Sequence, residues 1–432
     1  MTKFNPSSSI IINGGKEVQG QVQVPGDKIS TVHLIFAPLI SEKETHIENM
    51  NFCDDVISII DWAEENNIVK IENLDNLTKV KPISKIFNLT AISNSRASIC
   101  LVSACALKFG QTEIGVNIGG CCFTNRLIDR HLDLINAFGI SLNRIGENYV
   151  VKKIKTVNEI NFDCSTKFGP SVGVTAHALI AALVFKGEMT LTNIALEPAV
   201  GVLIDFLKKS TGRKITLENR KIKIYSINSV TYSDSKILLP CDTTIALTYV
   251  ATVMATKGYI FLKGMGNLLF SVKTLLKKIN VQLEKTEEGL HVCISSIIHP
   301  KLIECKPWPG IPSDSGPIII AGLSRHKGET RLVDKIYDSR STHVEGLNRM
   351  GYCLDVKGQT ITVKGQEPSE TKVIVEAIDI RAGAVLLIGA SARNAETVIT
   401  EAFQLFRGYP NIIESMTELG INIKIGEKNE KR

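Results

Sequence analysis

The amino-acid sequence predicts an α/β protein of two similar domains, each built from three copies of a unit of about 70 residues. Three observations carry this expectation. A turn followed by a short strand, centred on Thr or once on Ile, returns six times along the chain. A helix of small and apolar residues precedes each return. An amphipathic helix and further strand-like alternation follow it.

The returns are SEKETHIEN (41–49), KFGQTEIGV (108–116), FKGEMTLTN (185–193), TKGYIFLKG (256–264), HKGETRLVD (326–334) and RNAETVIT (393–400). Their central residues, 45, 112, 190, 260, 330 and 397, lie 67, 78, 70, 70 and 67 positions apart, so six units account for nearly the whole chain. The helices before them contain VHLIFAPLI, SICLVSACAL, TAHALIAALV, ALTYVATVMA, IIIAGL and AVLLIGASA. These are apolar almost all round, which marks helices enclosed on every side. The later segments HLDLINAFGISL, VLIDFLKKSTGRKITL, HVEGLNRMGYCLDV and IIESMTELGINIKI read as amphipathic helix, then strand. Gly139, Gly212, Gly351 and Gly420 stand where a helix end needs a left-handed residue. One such unit cannot cover its own apolar helix, so three share each core. Residues 1–20 with 234–432 are assigned to one domain and 21–233 to the other.

Composition narrows the class. With 432 residues, 44% hydrophobic, 22% charged and a mean hydropathy of +0.10, the chain can offset its conformational entropy, which excludes long disorder. No apolar run reaches the ~18–20 residues of a membrane span, and the first residues lack a leader pattern, so a cytoplasmic protein with no membrane partner is expected. The ten cysteines show no C-x-x-C and no Cys/His cluster, which points to reduced, buried thiols and no metal site. Net charge is +6 without aromatic-interleaved basic stretches, which suits anionic small molecules and not nucleic acid. Neither G-x-x-x-x-G-K-[ST] nor G-x-G-x-x-G occurs, so no ATP or NAD cofactor is expected.

Polar residues break the pattern where each apolar helix begins: PGDK (25–28), NSR (94–96), KFGPSVG (167–173), PCDTT (240–244), PSDSG (312–316) and IDIR (378–381). Helix N-termini favour anions. Asp242 and Asp314 serve equally well as ordinary N-caps, but capping does not account for Lys28, Arg96 and Arg381 at matching places. A second set lies in the loops GGCCFTNRLIDRH (119–131), IYDSRSTHV (336–344) and FRGY (406–409). Cys121 follows Gly119-Gly120, with Arg126 and Arg130 nearby in sequence, and neighbouring guanidiniums make a thiol reactive. Lys28, Arg96, Arg126, Arg340, Arg381 and Arg407 would together grip phosphate and carboxylate. The residues thus point to a phosphorylated, carboxylated substrate, with Asp314 as base and Cys121 as proton donor. Three prolines ahead of Asp314, in WPGIPSD with Pro307 before it, suggest a backbone held extended up to the helix.

These motifs resemble the enolpyruvyl transferases, and among them the UDP-N-acetylglucosamine 1-carboxyvinyltransferases, along all 432 residues. GGCCFTNRLIDRH is similar to that family's G-G-C-x-I-G-x-R-P-V-D-x-H, placing Cys121, Arg126, Asp129 and His131 in register. Arg96 opens its R-A-S-I stretch, Ser171-Val172-Gly173 its S-V-G-A-T, and Glu197-Pro198 its A-R-E-P. WPGIPSD resembles H-P-x-F-P-T-D and gives Asp314; the segment from Ile336 and Tyr337 to Val344 gives Arg340. Asp379 and Arg381 match D-L-R-A, and Arg407 matches R-G-Y.

The resemblance implies two inside-out α/β barrels, each of three βαβαββ units. It implies addition of a sugar hydroxyl to C2 of phosphoenolpyruvate, a co-substrate and not a cofactor, followed by loss of phosphate. Cys121, Asp314, Lys28 and Arg407 would be catalytic. Arg96, Arg126, Asp129, Ser171, Val172, Gly173, Ile336, Arg340, Asp379 and Arg381 would bind the substrates, phosphoenolpyruvate and UDP-N-acetylglucosamine or a related nucleotide. The sequence departs from the family at Ile29, Leu127, Gly169 (a Lys in the family), Ala199 to Val202 and Thr243 to Thr248. Several of those departures lie near the nucleotide-sugar side of the resembling family and imply a divergent relative. UMP or shikimate 3-phosphate are alternative acceptors, and an RNA-binding or non-catalytic relative is the reading from another class. Fosfomycin, an electrophile resembling phosphoenolpyruvate, is expected to alkylate Cys121. Peptide mass mapping should place the adduct there, and labelling confined to Cys100 or Cys105 would overturn the assignment.

Overall fold

A computed structural model describes residues 8–84, 88–92, 95–116, 128–337 and 340–426. Each expected strand follows its apolar helix: Thr45–Glu48, Gln111–Gly115, Glu188–Thr192, Tyr259–Lys263, Gly328–Asp334 and Glu396–Thr400. The helices are Lys28–Ser41, a 3-10 turn Arg96–Leu101 continued by Val102–Phe109, Val172–Ala182, Thr243–Thr256, Ser315–Leu323 and Ile380–Ser391. The fifth unit shows the common plan. Its lead strand Leu302–Cys305 pairs in parallel with Gly328–Asp334, which pairs antiparallel with Thr360–Gly365, and Cys353–Lys357 closes the edge. The other sheets repeat this order, except that in the second unit a single parallel bridge, Asn88 to Glu113, stands for the lead strand. Gly139, Gly212, Gly351 and Gly420 all have positive φ, as helix ends require.

The chain divides into two compact units, one with described residues 8–25 and 241–426, the other with 26–240. The crossings therefore lie later than the sequence suggested. Strand Gln19–Gln23 pairs in parallel with Tyr259–Lys263, and a boundary at 20/21 would cut it. Strand Ser235–Leu238 pairs in parallel with Thr45–Glu48, so it belongs to the unit of residues 26–240. The reason is an exchange of lead strands: each crossing chain leaves its strand behind in one sheet and supplies a helix to the other unit. Hydrophobic periodicity locates helices but does not say which sheet a lead strand joins. Ser9–Asn13 likewise pairs with both Glu396–Thr400 and Asn422–Gly426, completing the sixth sheet from the other end of the sequence.

The helices lie inside and the sheets outside. Helix Thr243–Thr256 is buried from Ile245 onward, on every face. Its threonines remain satisfied because Thr248, Thr252 and Thr256 each donate to the carbonyl four residues earlier, at 3.0, 2.9 and 2.8 Å. It packs against Ser315–Leu323 and Ile380–Ser391, and these also pack on each other. Close approach is set by Gly322, where a Cβ would stand 3.1 Å from the Ala251 carbonyl oxygen. Each unit has one continuous apolar core around its three helices.

The C-terminal ends of these helices carry unpaired carbonyls that need buried donors. Arg213, 5% exposed, donates to the carbonyls of Ala182 (2.8 Å), Phe185 (2.6 Å) and Gly187 (2.9 Å), and twice to that of Tyr225. Tyr232 donates to Leu183 O at 2.8 Å, Lys108 to Ile40 O, and His326 to Met254 O at 2.6 Å. Replacing Arg213 by Met should lower stability by about 3 kcal/mol or more, because several buried carbonyls lose their donor at ~1–3 kcal/mol each. The urea midpoint measures this. Arg213→Lys should fall between the two, and an unchanged midpoint for Arg213→Met would disprove the assigned role.

Candidate active site

The unit of residues 241–426 brings three helix N-termini together, and their caps differ. Asp242 accepts from the Thr244 and Ile245 amides at 2.9 and 3.0 Å, and Asp379 from those of Arg381 and Ala382 at 2.8 and 2.9 Å. Both are helix caps in the ordinary sense. Asp314 occupies the same position before Ser315–Leu323 but makes no capping bond with its side chain. Its carboxylate turns instead to two guanidiniums: Arg340 meets Oδ1, and Arg381 meets Oδ2 at 2.7 Å. Arg340 is almost fully buried and also donates to the Ser313 hydroxyl at 2.9 Å. Ser313 in turn donates to Asp334, whose other oxygen receives the amides of Ile336 (2.8 Å) and Tyr337 (3.2 Å).

Arg381 continues the network on its other side, donating to the Tyr409 hydroxyl at 3.0 Å. Tyr409 lies 2.9 Å from Thr248 Oγ1, whose own proton goes to the Thr244 carbonyl, so Tyr409 donates to Thr248. Burial raises the Tyr409 hydroxyl above its usual range. Burial alone would lower Arg381, but the facing Asp314 outweighs it and the guanidinium is held protonated. Thr342 donates to Asp379 at 2.7 Å, tying the loop after Ile336 to the third helix. Arg407 ends the short helix Phe403–Phe406 and donates to Gln404 at 2.8 Å.

The unit of residues 26–240 holds the second group. Lys28 opens its helix behind the Asp27 cap and pairs with Asp55 at 2.6 Å. Ser171 caps Val172–Ala182, accepting from the Val174 amide at 3.3 Å, so Val172 and Gly173 form the first turn. The Gly173 carbonyl receives the Cys100 thiol at 3.5 Å. Arg96 and Asp129, which opens helix Asp129–Ala137, both act electrostatically on His131; burial first, then Arg96, brings that imidazole down to about 4. Cys121 and Arg126 lie outside the described residues.

Arg130, expected near the Cys121 thiol, is engaged by the carbonyls of Asp163 and Ser165, by Asp133 at 2.7 Å and by the Phe162 ring at 4.7 Å, while Cys121 itself lies outside the described residues. One expectation from the sequence is corrected. The proline-rich segment before Asp314 is not extended; it turns back on itself, with Gly310 N donating to Pro307 O and Lys306 N to Ile311 O, both at 2.9 Å. Pro and Gly in one short segment favour such turns. Tyr409, Thr248, Ser313, Asp334 and Asp55 were missed as members of the network. Ser313, Asp334, Thr248 and Tyr409 stood inside quoted segments without being given a role, because hydroxyls and distant carboxylates leave no local signature.

Two units, each of three enclosed helices wrapped by sheets, make a two-domain inside-out α/β fold. The enolpyruvyl transferase NikO from Streptomyces tendae superposes with a TM-score of 0.87 at 19% identity, covering 97% of this chain and 99% of that one. EPSP synthase from Acinetobacter baumannii gives 0.72 at 17% identity over 98% and 100%. The family described as EPSP synthase (3-phosphoshikimate 1-carboxyvinyltransferase) matches residues 12–416, so the chain belongs to this family and is an enolpyruvyl (carboxyvinyl) transferase. UDP-N-acetylglucosamine 1-carboxyvinyltransferase 1 of Clostridium perfringens is 28% identical over 425 residues, covering 96% of this chain and 99% of its own. The UDP-N-acetylglucosamine 1-carboxyvinyltransferase of Thermotoga maritima is 28% identical over 441 residues, covering 97% and 99%.

Asp314→Asn separates capping from chemistry. Asparagine caps as well as aspartate, so a mere cap would leave turnover unchanged. With the carboxylate held by Arg340 and Arg381, we expect turnover to fall about 10²-fold or more. The urea midpoint should fall too, because Arg340 stays buried without its countercharge. Turnover within a few-fold of the unmodified enzyme would end the claim.

Proposed function

We propose that this enzyme moves the enolpyruvyl group of phosphoenolpyruvate to a hydroxyl of a nucleotide-bearing acceptor, the 3-hydroxyl of UDP-N-acetylglucosamine foremost. The relatives at 28% identity, matched over almost their whole length, support that acceptor. The observation that carries the reading is Asp314, a carboxylate at a helix start that caps nothing and is held by two guanidiniums. Each of its oxygens meets an arginine, and the two contacts fix the orientation of the carboxylate that is to receive the proton of an incoming hydroxyl. Proton transfer depends steeply on such alignment.

In the reaction, C3 of phosphoenolpyruvate takes a proton while the acceptor oxygen bonds to C2 and its own proton passes to Asp314. The tetrahedral adduct then loses a proton from C3 and phosphate from C2, leaving the enolpyruvyl ether and inorganic phosphate. Cys121 is assigned as the acid at C3. Lys28, Arg126 and Arg407 are assigned to the phosphate and carboxylate of phosphoenolpyruvate, and Arg96, Arg340 and Arg381 to the surrounding positive field. The hydroxyl side of the site requires no metal in this scheme.

A second acceptor, a simple nucleotide such as UMP, is favoured by the turn Ser165–Thr166 to Gly169–Pro170. Gly169, where similar enzymes carry Lys, has φ +106°, and the nearby Lys167 ammonium lies over the Phe168 ring at 4.8 Å. A cation suited to a sugar diphosphate is thus missing at one position and stacked on a ring at the next candidate. Phosphate release from phosphoenolpyruvate, measured across UDP-N-acetylglucosamine, other UDP-sugars, UMP and shikimate 3-phosphate, tests both acceptors. Release with the first supports the main reading, release with UMP alone the second, and release with none overturns both. Arg407→Ala should lower kcat/KM for phosphoenolpyruvate by about 10²-fold, as expected for loss of a charge-assisted contact, with an unchanged circular dichroism spectrum. Unaltered kinetics would show Arg407 to be solvated surface.

A further inference from the structure

A chain of three buried polar side chains lies behind the first turn of Val172–Ala182. His131 Nδ1 is 3.1 Å from His177 Nδ1, and His177 Nε2 is 2.8 Å from the Ser103 hydroxyl. His177 and Ser103 are fully buried and His131 is 6% exposed. The two rings are tilted by only 26° with centroids 5.3 Å apart, so they meet edge to edge, with the nitrogen lone pairs close to a common plane. That is hydrogen-bond geometry and not face-to-face stacking. Burial lowers both imidazoles, His131 to about 4, and the two rings are neutral near pH 7. One proton therefore lies between the facing Nδ1 atoms, and its owner decides the tautomer of His131.

The remaining nitrogen of His131 is the informative one. The contact with His177 uses Nδ1 and leaves Nε2 on the opposite side of the ring. Nε2 faces the helix start: a Cβ on Gly173 would stand 3.4 Å from it. Around it are the Arg96 guanidinium, the Asp129 carboxylate and the Ser171 cap. His131 as a residue is only 6% exposed, and its Nε2, facing a helix N-terminus near a guanidinium, is placed for an anionic oxygen. Only the Nε2–H form can donate to one.

We propose that His177 is a positioning residue: Ser103 donates to His177 Nε2, His177 Nδ1–H donates to His131 Nδ1, and His131 is thereby fixed with its proton on Nε2, directed at a phosphate oxygen of the acceptor. The substrate half of this statement rests on the proposed function; the tautomer half does not. No bond is made or broken, and His177 touches no substrate. It acts through the ring that does.

Nitrogen-15 NMR of the full chain labelled at histidine, without substrate, reads the tautomers directly. The expected result is His131 protonated at Nε2 and His177 at Nδ1; His131 protonated at Nδ1 overturns the proposal. Ser103→Ala should mix the two forms, and a tautomer unchanged in that variant also overturns it. In kinetics, His177→Phe should raise KM for the nucleotide acceptor about 10-fold, with kcat within ~2-fold, the size expected for one lost or misdirected hydrogen bond to a charged group. His177→Asn, which keeps a short donor and acceptor, should restore most of the loss. An unchanged KM in His177→Phe, or a rise that His177→Asn does not reverse, counts against the positioning role. If no acceptor turns over at all, the proposed function has failed, and the NMR result alone decides the relay.

Discussion

A helix that is apolar on every face has to be covered on every face, and six such helices dictate this fold. One unit of about 70 residues offers a single sheet of three or four strands and one amphipathic helix, which shield only part of a cylinder. Packing three helices together shields the inner faces, and three sheets shield the outer ones. Charged groups are then driven to the helix ends, and the few polar side chains within the helices are hydrogen-bonded. At the C-terminal ends, carbonyls collect and are met by Arg213, Lys108, His326 and Tyr232. At the N-terminal ends, amides and caps collect, and with them the residues suited to anions.

Within that frame Asp314 is the exception that marks the chemistry. Its neighbours in equivalent places spend their carboxylates on backbone amides. Asp314 leaves those amides and holds Arg340 and Arg381, which connect onward through Ser313 to Asp334 and through Tyr409 to Thr248. The network ties all three helix starts of its unit to one carboxylate. Such a fixed arrangement costs no reorganisation when charge develops, which is the usual source of electrostatic catalysis.

Much of this was legible in the sequence, for identifiable reasons. The six returns at residues 45 to 397 all fell in the strands after the enclosed helices, because burial on every side imposes a composition that periodicity can detect. The polar starts of those helices were equally visible. What the sequence concealed was pairing over distance. It did not show that Gln19–Gln23 and Ser235–Leu238 exchange sheets, nor that Ser9–Asn13 pairs with strands near residue 400. Nor did it separate Asp242 from Asp314, since the same residue type at the same helix position serves as cap or as ligand for arginine depending on what stands across from it. Nor did it show the Asp163 and Ser165 carbonyls that engage Arg130.

The strand exchange also orders events in time as the chain leaves the ribosome. Residues 26–240 emerge as one uninterrupted block and contain every described strand of their three sheets, so that unit can close while synthesis continues. Strands Ser9–Asn13 and Gln19–Gln23 emerge earlier still, yet their partners begin at Tyr259 and Glu396. For most of synthesis these two short strands are orphaned edges rich in isoleucine and valine, the kind of segment that pairs readily with the wrong chain. Their polar positions, Gln19, Gln21 and Gln23 alternating around Val22, shorten the sticky surface they present while they wait. These two strands are thus made well before the strands they pair with, and the nascent chain's exposure to misassembly is concentrated in them.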